Sequence, residues 1–320
     1  MEPKITIIIP CKEIDFYTEK CISRCLDLDY ENFEIFVLPD FMPKMKKFPN
    51  SKRLKIIETG KVKPAVKRNI AKEKSTGELL ASIDSDAYPR KDWLRNAAKY
   101  FSDKRIGLVG GPNLTPAESN FYEKVSGYVL SNYFAAGRGN IRYKTAKNQT
   151  VNELPSCNYI SRKSVSPDYK TNFLTAEDSK FCFDISAQGY KLLYAGDVIV
   201  YHHRRDSIKK HLKQMFIYGR DIAWLIKDNF SLDKLYYSMP SLFTLGILAG
   251  IIASFFSQIL RAVFLMLLLI YFFIIFVTSI HKNVKTTFFV FFTTIFTHIY
   301  YGIGFLYALF VKNKEGIAVR

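Results

Sequence analysis

The run Glu78-Leu79-Leu80-Ala81-Ser82-Ile83-Asp84-Ser85-Asp86 stays largely apolar after Glu78 until it stops at two closely spaced acids. A strand buried along its length and ending in Asp-x-Asp carries two hard carboxylate oxygens to the lip of a sheet, where a divalent cation can join them to a diphosphate. That is chemistry for a nucleotide-linked substrate. Taken alone, the same acids read equally as turn formers or helix caps, so the assignment depends on what surrounds them.

The elements that must position these acids are legible from period. Ile5 to Pro10, Phe33 to Leu38, Leu54 to Glu58, Leu79 to Ile83 and Ile106 to Gly110 read as short buried strands. Tyr17 to Leu28, Pro64 to Ser75 and Asp92 to Phe101 read as helices between them, which predicts an α/β sheet of βαβ type. Ligands of such sheets gather at the carboxyl ends of the strands, where Pro10, Asp40 and Asp84 to Asp86 fall. No Gly-x-Gly-x-x-Gly or Walker-type loop occurs, which counts against dinucleotide oxidoreductases and P-loop enzymes. Gly110 to Pro116 reads as a turn, helix follows through Val129, and Arg138 to Glu153 reads as a polar loop. Thr175 is placed to cap a further helix, with Asp178 completing a box-like start. A last strand, Lys191 to Val200, ends at Tyr201-His202-His203-Arg204-Arg205. By themselves Glu177 and Asp178 read as acids favouring a helix N-terminus, and His202 reads equally as a ligand or as an ordinary strand-end histidine.

Charge and apolarity divide the chain near residue 238. The 320 residues carry 46 Lys and Arg against 29 Asp and Glu, a net +17. From Met239 onward there are six basic residues and one acid, which leaves a net +12 on the first 238 positions. A basic globular part joined to apolar segments fits anionic headgroups or phosphorylated substrates. Nucleic acid is not expected, because zinc-finger spacing, an RNA-binding aromatic motif and an Arg-rich arm are all missing. Five cysteines form no Cys-x-x-Cys pair, and the odd count predicts reduced thiols in a cytosolic domain. Lys4 to Pro10 is too short for a signal-peptide core, so no export signal is expected ahead of the polar part.

Three apolar stretches, Met239 to Leu260, Ala262 to Ile280 and Thr286 to Val311, each match the ~20 residues that cross a bilayer core and carry no charge inside. They predict three transmembrane helices, the first two forming a hairpin about Ser257 to Arg261. With three spans and a cytosolic polar domain, the tail bearing Lys312, Lys314 and Arg320 lies outside, against the positive-inside rule; a re-entrant or tilted segment puts it inside. Ser207 to Lys227 alternates Lys209, Lys210, Lys213, Arg220 and Lys227 with Leu212, Phe216, Ile217, Ile222, Trp224 and Leu225. That pattern predicts an amphipathic helix in the interface plane, with an exposed bundle helix as the alternative.

Read together, Ile8-Ile9-Pro10, Glu34-Ile35-Phe36-Val37-Leu38-Pro39-Asp40, Pro64-Ala65-Val66-Lys67-Arg68-Asn69, Ile83-Asp84-Ser85-Asp86, Gly110-Gly111-Pro112, Cys157-Asn158, Glu177-Asp178 and His202-His203, followed by Gln214 and Tyr218-Gly219-Arg220, stand in an ordered series over residues 4 to 225. The chain resembles a family 2, inverting, membrane-anchored glycosyltransferase of the GT-A nucleotide-sugar fold, and is similar to succinoglycan-type polysaccharide-assembly enzymes. The resemblance implies residues 1–205 as catalytic domain, 206–238 as amphipathic interfacial helices, and 239–320 as three transmembrane helices with a short tail. It implies nucleotide-sugar contacts from Pro10, Asp40, Arg68, Asp84, Arg204 and Arg220, and a Mg²⁺ or Mn²⁺ ion on Asp86, with Asp84 and His202 as further ligands. Asp178 is implied as the catalytic base, with Glu177, Gly111 and Asn158 on the acceptor side. Pro39 stands where the family pattern has the first of two acids, and Gln214 to Arg220 matches the Gln-x-x-Arg-Trp pattern of processive relatives only in part.

The implied reaction moves a sugar, with inversion, from a nucleotide-sugar donor to a lipid-linked (polyprenyl-diphosphate) saccharide at the cytosolic face of the cytoplasmic membrane, with the bilayer as partner. Two alternatives stand beside it. One is a polyprenyl-phosphate sugar synthase, whose anionic nucleophile has less need of a base. The other is a catalytically idle membrane scaffold that keeps the nucleotide-sugar fold.

Overall fold

Ile5–Pro10 and Phe33–Leu38 are buried at every position. Strands apolar without alternation are those covered on both faces, as in a parallel sheet flanked by helices. The computed structural model describes residues 2–43, 51–171, 175–228 and 232–312. In chain order they run β1 (Ile5–Pro10), α1 (Phe16–Leu26), β2 (Phe33–Leu38), β3 (Leu54–Ile56), α2 (Pro64–Lys74), β4 (Leu79–Ser82), β5 (Ala87–Pro89), α3 (Trp93–Ala98), β6 (Ile106–Gly110) and β7 (Asn113–Leu114). There follow α4 (Phe121–Ser131), α5 (Tyr133–Ala136), β8 (Gln149–Val151), β9 (Tyr159–Arg162), α6 (Glu177–Ala187), β10 (Lys191–Tyr194), β11 (Val200–His202), α7 (Ile208–Asp228), α8 (Met239–Phe256), α9 (Gln258–Thr278) and α10 (Val284–Phe310). They sort into two compact units, Met1–Ala117 with Ile141–His203, and Glu118–Asn140 with Arg204–Arg320.

The first unit is built on an eight-stranded sheet in the order β3-β2-β1-β4-β9-β6-β10-β8. β1 lies parallel to both β2 and β4, while β9 runs antiparallel between β4 and β6. Ile5, Ile7 and Ile9 of β1 join Ile22, Val37, Ile83 and Trp93 in the main core. Each such side chain contributes about 1.5–3 kcal/mol by leaving water. This core holds Pro10, Asp40 and Asp84 at, or just beyond, the carboxyl ends of β1, β2 and β4. A second sheet, β5-β11-β7, stands His202 opposite Ala87, the residue after Asp86.

Three local expectations are corrected here. The single strand expected from Lys191 to Val200 is two strands in different sheets, because the chain turns between them. At that turn Gly196 donates its N–H to Asn148, and Asp197 pairs with Lys99 and Tyr100. The helix expected to be capped by Thr175 has Ala176 at its N-cap and no side-chain cap; Asp178 instead accepts from the N–H of its neighbour Ser179. Arg138 to Glu153 is not a bare loop, since it contains a 3-10 turn over Gly137–Tyr143 and the edge strand β8.

Residues 118–140 pack with the C-terminal helices to form the second unit. α4 is fixed by a capping box between Asn120 and Glu123. His211 of α7 is buried and bridges Ser126 of α4 and Thr297 of α10. Burial and the nearby Arg205 lower its pKa to about 4, so a neutral ring makes both bonds. α7 and α10 touch backbone to backbone. A Cβ on Gly219 would lie 2.1 Å from the Tyr301 carbonyl, and one on Gly304 would lie 2.0 Å from that of Phe216. Lys234–Phe256, Gln258–Thr278 and Val284–Phe310 are long and apolar enough to cross a membrane. Lys314 and Arg320 of the tail lie outside the described residues.

Candidate active site

The Asp-x-Asp turn and the end of β11 come together in the first unit. Asp84, Asp86 and His202 each offer a ligand atom, and the three atoms lie within 4.8 Å of one another. His202 Nε2 is 3.0 Å from Asp86 Oδ1, and the N–H of His203 donates to the Asp86 carbonyl at 3.1 Å. Pairing of β5 with β11 is what closes this corner, which is why a histidine so far from the acids in sequence reaches them. Burial disfavours a charged ring at His202, but the Asp86 carboxylate and, after it, Cys157 outweigh it and raise the pKa to about 10. A cation would take that nitrogen only by displacing the proton, which would make binding of a metal here pH-dependent. Two carboxylates and an imidazole suit Mn²⁺ or Mg²⁺, the imidazole favouring Mn²⁺.

Arg68 of α2 ties this corner to the Glu177-Asp178 pair. Its guanidinium donates to Asp84 Oδ1 at 2.8 Å, to Glu177 Oε1 at 3.3 Å and to the Ser82 hydroxyl at 3.1 Å. The side chain is 2% exposed, and burial works against its charge. Asp84, Tyr169 and Glu177 outweigh that cost and hold it more firmly protonated than an ordinary arginine. Arg68 is thus a structural link between the two acidic motifs.

Asp178 takes the Ser179 N–H on Oδ1 at 2.8 Å and the Ser156 N–H on Oδ2 at 3.3 Å. Burial raises its pKa above the ordinary carboxylate range; Glu153 adds to the rise and Arg142 opposes it. Glu177 is raised by burial and by Asp178, against the pull of Arg68. Its Oε2 is buried and has no hydrogen-bond partner among the described residues.

The other expected residues take different surroundings. Asp40 accepts from Lys67 Nζ at 2.5 Å, and the same ammonium donates to the Cys11 and Leu38 carbonyls, fastening the ends of β1 and β2 beside Pro10. Asn158 is fully buried, accepting from the Trp93 indole at 2.8 Å and donating to the Pro112 and Val198 carbonyls. Gly111 admits no side chain, since a Cβ would lie 2.1 Å from the Val198 oxygen. Gly111→Ala is therefore expected to destabilise the protein by about 1–3 kcal/mol, read as a lowered Tm. Arg204 and Arg220 belong to the second unit, where Arg220 pairs with Asp221 at 2.7 Å and lies over the Trp224 ring. Sequence reasoning did not single out Lys67, Ser82, Trp93, Arg142 or Glu153. The signal available for Lys67 was its place beside Arg68, and a dipeptide of two cations does not say which is buried.

Residues 6–167, about half the chain and including the Asp84-Asp86 turn, match the family model described as Glycosyl transferase family 2. The chain belongs to glycosyl transferase family 2. Over 283 residues this family 2 glycosyltransferase is 24% identical to a dolichyl N-acetyl-alpha-D-glucosaminyl phosphate 3-beta-D-2,3-diacetamido-2,3-dideoxy-beta-D-glucuronosyltransferase of Methanococcus voltae, covering 83% of this chain and 85% of that protein. It is 23% identical to glycosyltransferase AglE of Haloferax volcanii over 250 residues, 73% of this chain and 78% of that one. In structure it resembles mannosyltransferase PcManGT from Pyrobaculum calidifontis, solved in complex with GDP-Man and Mn²⁺, with a TM-score of 0.64 at 16% identity over 98% of this chain and 88% of that one. The first unit of this glycosyltransferase has the GT-A fold.

Proposed function

We propose that the enzyme transfers a sugar, with inversion, from a nucleotide-sugar donor to a saccharide on a polyprenyl-diphosphate lipid, with the catalytic domain facing the cytosol at the cytoplasmic membrane. The observation that carries this reading is the Arg68 bridge, which joins the Asp84-Asp86-His202 corner to Glu177-Asp178 in one site. The relatives support the acceptor class, one being named for a dolichyl-linked sugar phosphate. Kinship with succinoglycan-type assembly enzymes belongs to the same reading.

In this mechanism the nucleotide lies across the ends of β1 and β2, framed by Pro10 and Asp40. Lys67 holds both loops in place from beneath, through the Cys11 and Leu38 carbonyls. Asp84, Asp86 and His202 would hold Mn²⁺ or Mg²⁺, which would neutralise charge on the departing nucleoside diphosphate. Asp178 takes the proton of the acceptor hydroxyl as its oxygen attacks the anomeric carbon; burial raises its basicity for that task. Glu177, fixed through Oε1 to Arg68, serves in this reading as an acceptor-side residue together with Gly111 and Asn158. A second reading, in which Glu177 is itself the base, is favoured by that unpartnered Oε2.

Purified protein given a panel of nucleotide sugars, membrane lipid extract and Mn²⁺ or Mg²⁺ should release nucleoside diphosphate with one donor. Chelation and Asp86→Asn should both abolish release, and Mn²⁺ should restore it at lower concentration than Mg²⁺. If no donor turns over with extract present, the idle-scaffold reading replaces this one.

A further inference from the structure

We infer that only α8 and α9 cross the membrane, and that α10 lies along its surface with one aromatic face seated in the headgroup and acyl boundary. Composition alone puts α10 with the other two, but what packs against it sets it apart. His211 bonds Thr297, Trp224 bonds the Val311 carbonyl, and Lys227 bonds the carbonyls of Ala308 and Leu309. The partners in these bonds are separated by 81 to 87 residues, an almost constant offset. Two helices in constant register run side by side in the same direction, so α7 shares whatever orientation α10 has. α7 carries Lys209, Lys210, Lys213, Arg220, Asp221, Lys227 and Asp228, and hydrocarbon excludes a helix so charged. The first half of α10 is flanked likewise, by Val125 and Val129 of α4 against Val290 and by the Phe134 carbonyl on His298.

Another face of α10 is largely uncovered. Val284, Phe288, Phe292, Phe296, Tyr300, Ile303 and Phe310 are all exposed and recur at helical spacing along it, while Tyr307 at its border packs on Phe216 of α7. Burial separates the three candidate spans in the same way: 44% of the α10 window is covered, against 11% and 6% for the other two. The buried residues of α8 and α9 are Ser241, Thr244 and Ile275, near the base of the hairpin, and large side chains beyond them are exposed. The hairpin is built to enter lipid, and the stripe of α10 continues that apolar surface at its base. α7 and α10 thus form a two-helix plate, charged on one helix and aromatic on the free face of the other, which fits a bilayer surface. An even number of crossings also returns Lys312 to the side of α7, as the positive-inside rule prefers.

Two measurements on the full chain in membranes test this, neither using activity. Lys210→Cys and Lys312→Cys are treated with a membrane-impermeant maleimide in right-side-out and inside-out vesicles, with the native chain as blank because its five cysteines are buried. Both variants should react in the same vesicle type; reaction in opposite types overturns the inference. Nitroxides at Phe288→Cys, Phe296→Cys, Ile303→Cys and Phe310→Cys should report one shallow depth by oxygen and nickel relaxation. A profile deepest at the middle positions means a third span and overturns it, as does absence of lipid contact because a second copy covers the stripe.

Discussion

Asp178→Asn is expected to lower kcat by about 10²- to 10⁴-fold, the usual contribution of a positioned general base, while leaving the fold as stable as before or more so. The stability side follows from burial. Asp178 sits among Glu177 and Glu153, and its charge is disfavoured by desolvation and by Glu153. A neutral amide of the same shape removes that repulsion, and its oxygen can keep the shorter bond from the Ser179 N–H. Lost turnover with an unchanged or raised Tm separates a base from a structural acid, whose removal costs stability. If Glu177→Gln abolishes turnover and Asp178→Asn does not, the second reading takes over. If neither matters with polyprenyl phosphate as acceptor, the lipid-phosphate sugar synthase does.

The same burial sets a pH dependence. The base works deprotonated, and its pKa is raised, so kcat should fall on the acidic side at a pH above the ordinary aspartate range of about 3.9. Glu153 contributes to the rise and Arg142 opposes it, so Glu153→Gln should move the acidic limb to lower pH. A limb that stays in place when Glu153 is neutralised would mean that another group titrates.

What could be read from the chain depended on how locally each feature is encoded. β1 and the Asp84-Asp86 turn are written in consecutive residues, an apolar run and its acidic stop, and they stand where expected. The split between β10 and β11 was not legible, because nothing near Gly196 announces that Asn148 and Ala146 will approach it from another loop. The pairing of α7 with α10 was hidden for the same reason. Ser207 to Lys227 shows an apolar face, but that this face meets another helix, through Gly219 and Gly304, is a relation across more than eighty residues. Family pattern supplied Asp178 and His202 as candidates where local physics left them ambiguous. It could not supply Arg68 as a link, since the residue was matched to the nucleotide and its bond to Glu177 spans 109 positions.

That link carries the second large prediction. Arg68→Met removes a buried cation that pairs with Asp84 and Glu177 together and leaves both acids without it. Breaking a buried pair from one side costs about 3–5 kcal/mol, mostly because the surviving charge is stranded. Glu177→Gln added to Arg68→Met should therefore recover much of the lost Tm, while turnover stays absent because the two acidic corners are no longer held in register. Arg68→Lys tests the geometry without changing the charge. One ammonium cannot reproduce a fork that reaches Ser82, Asp84 and Glu177 from three nitrogens. It should stay closer to native stability yet lose about 10²-fold in kcat, the scale of a small misplacement of reacting groups. If Arg68→Lys is as active as the native enzyme, Arg68 contributes charge alone and the bridge does not position the site.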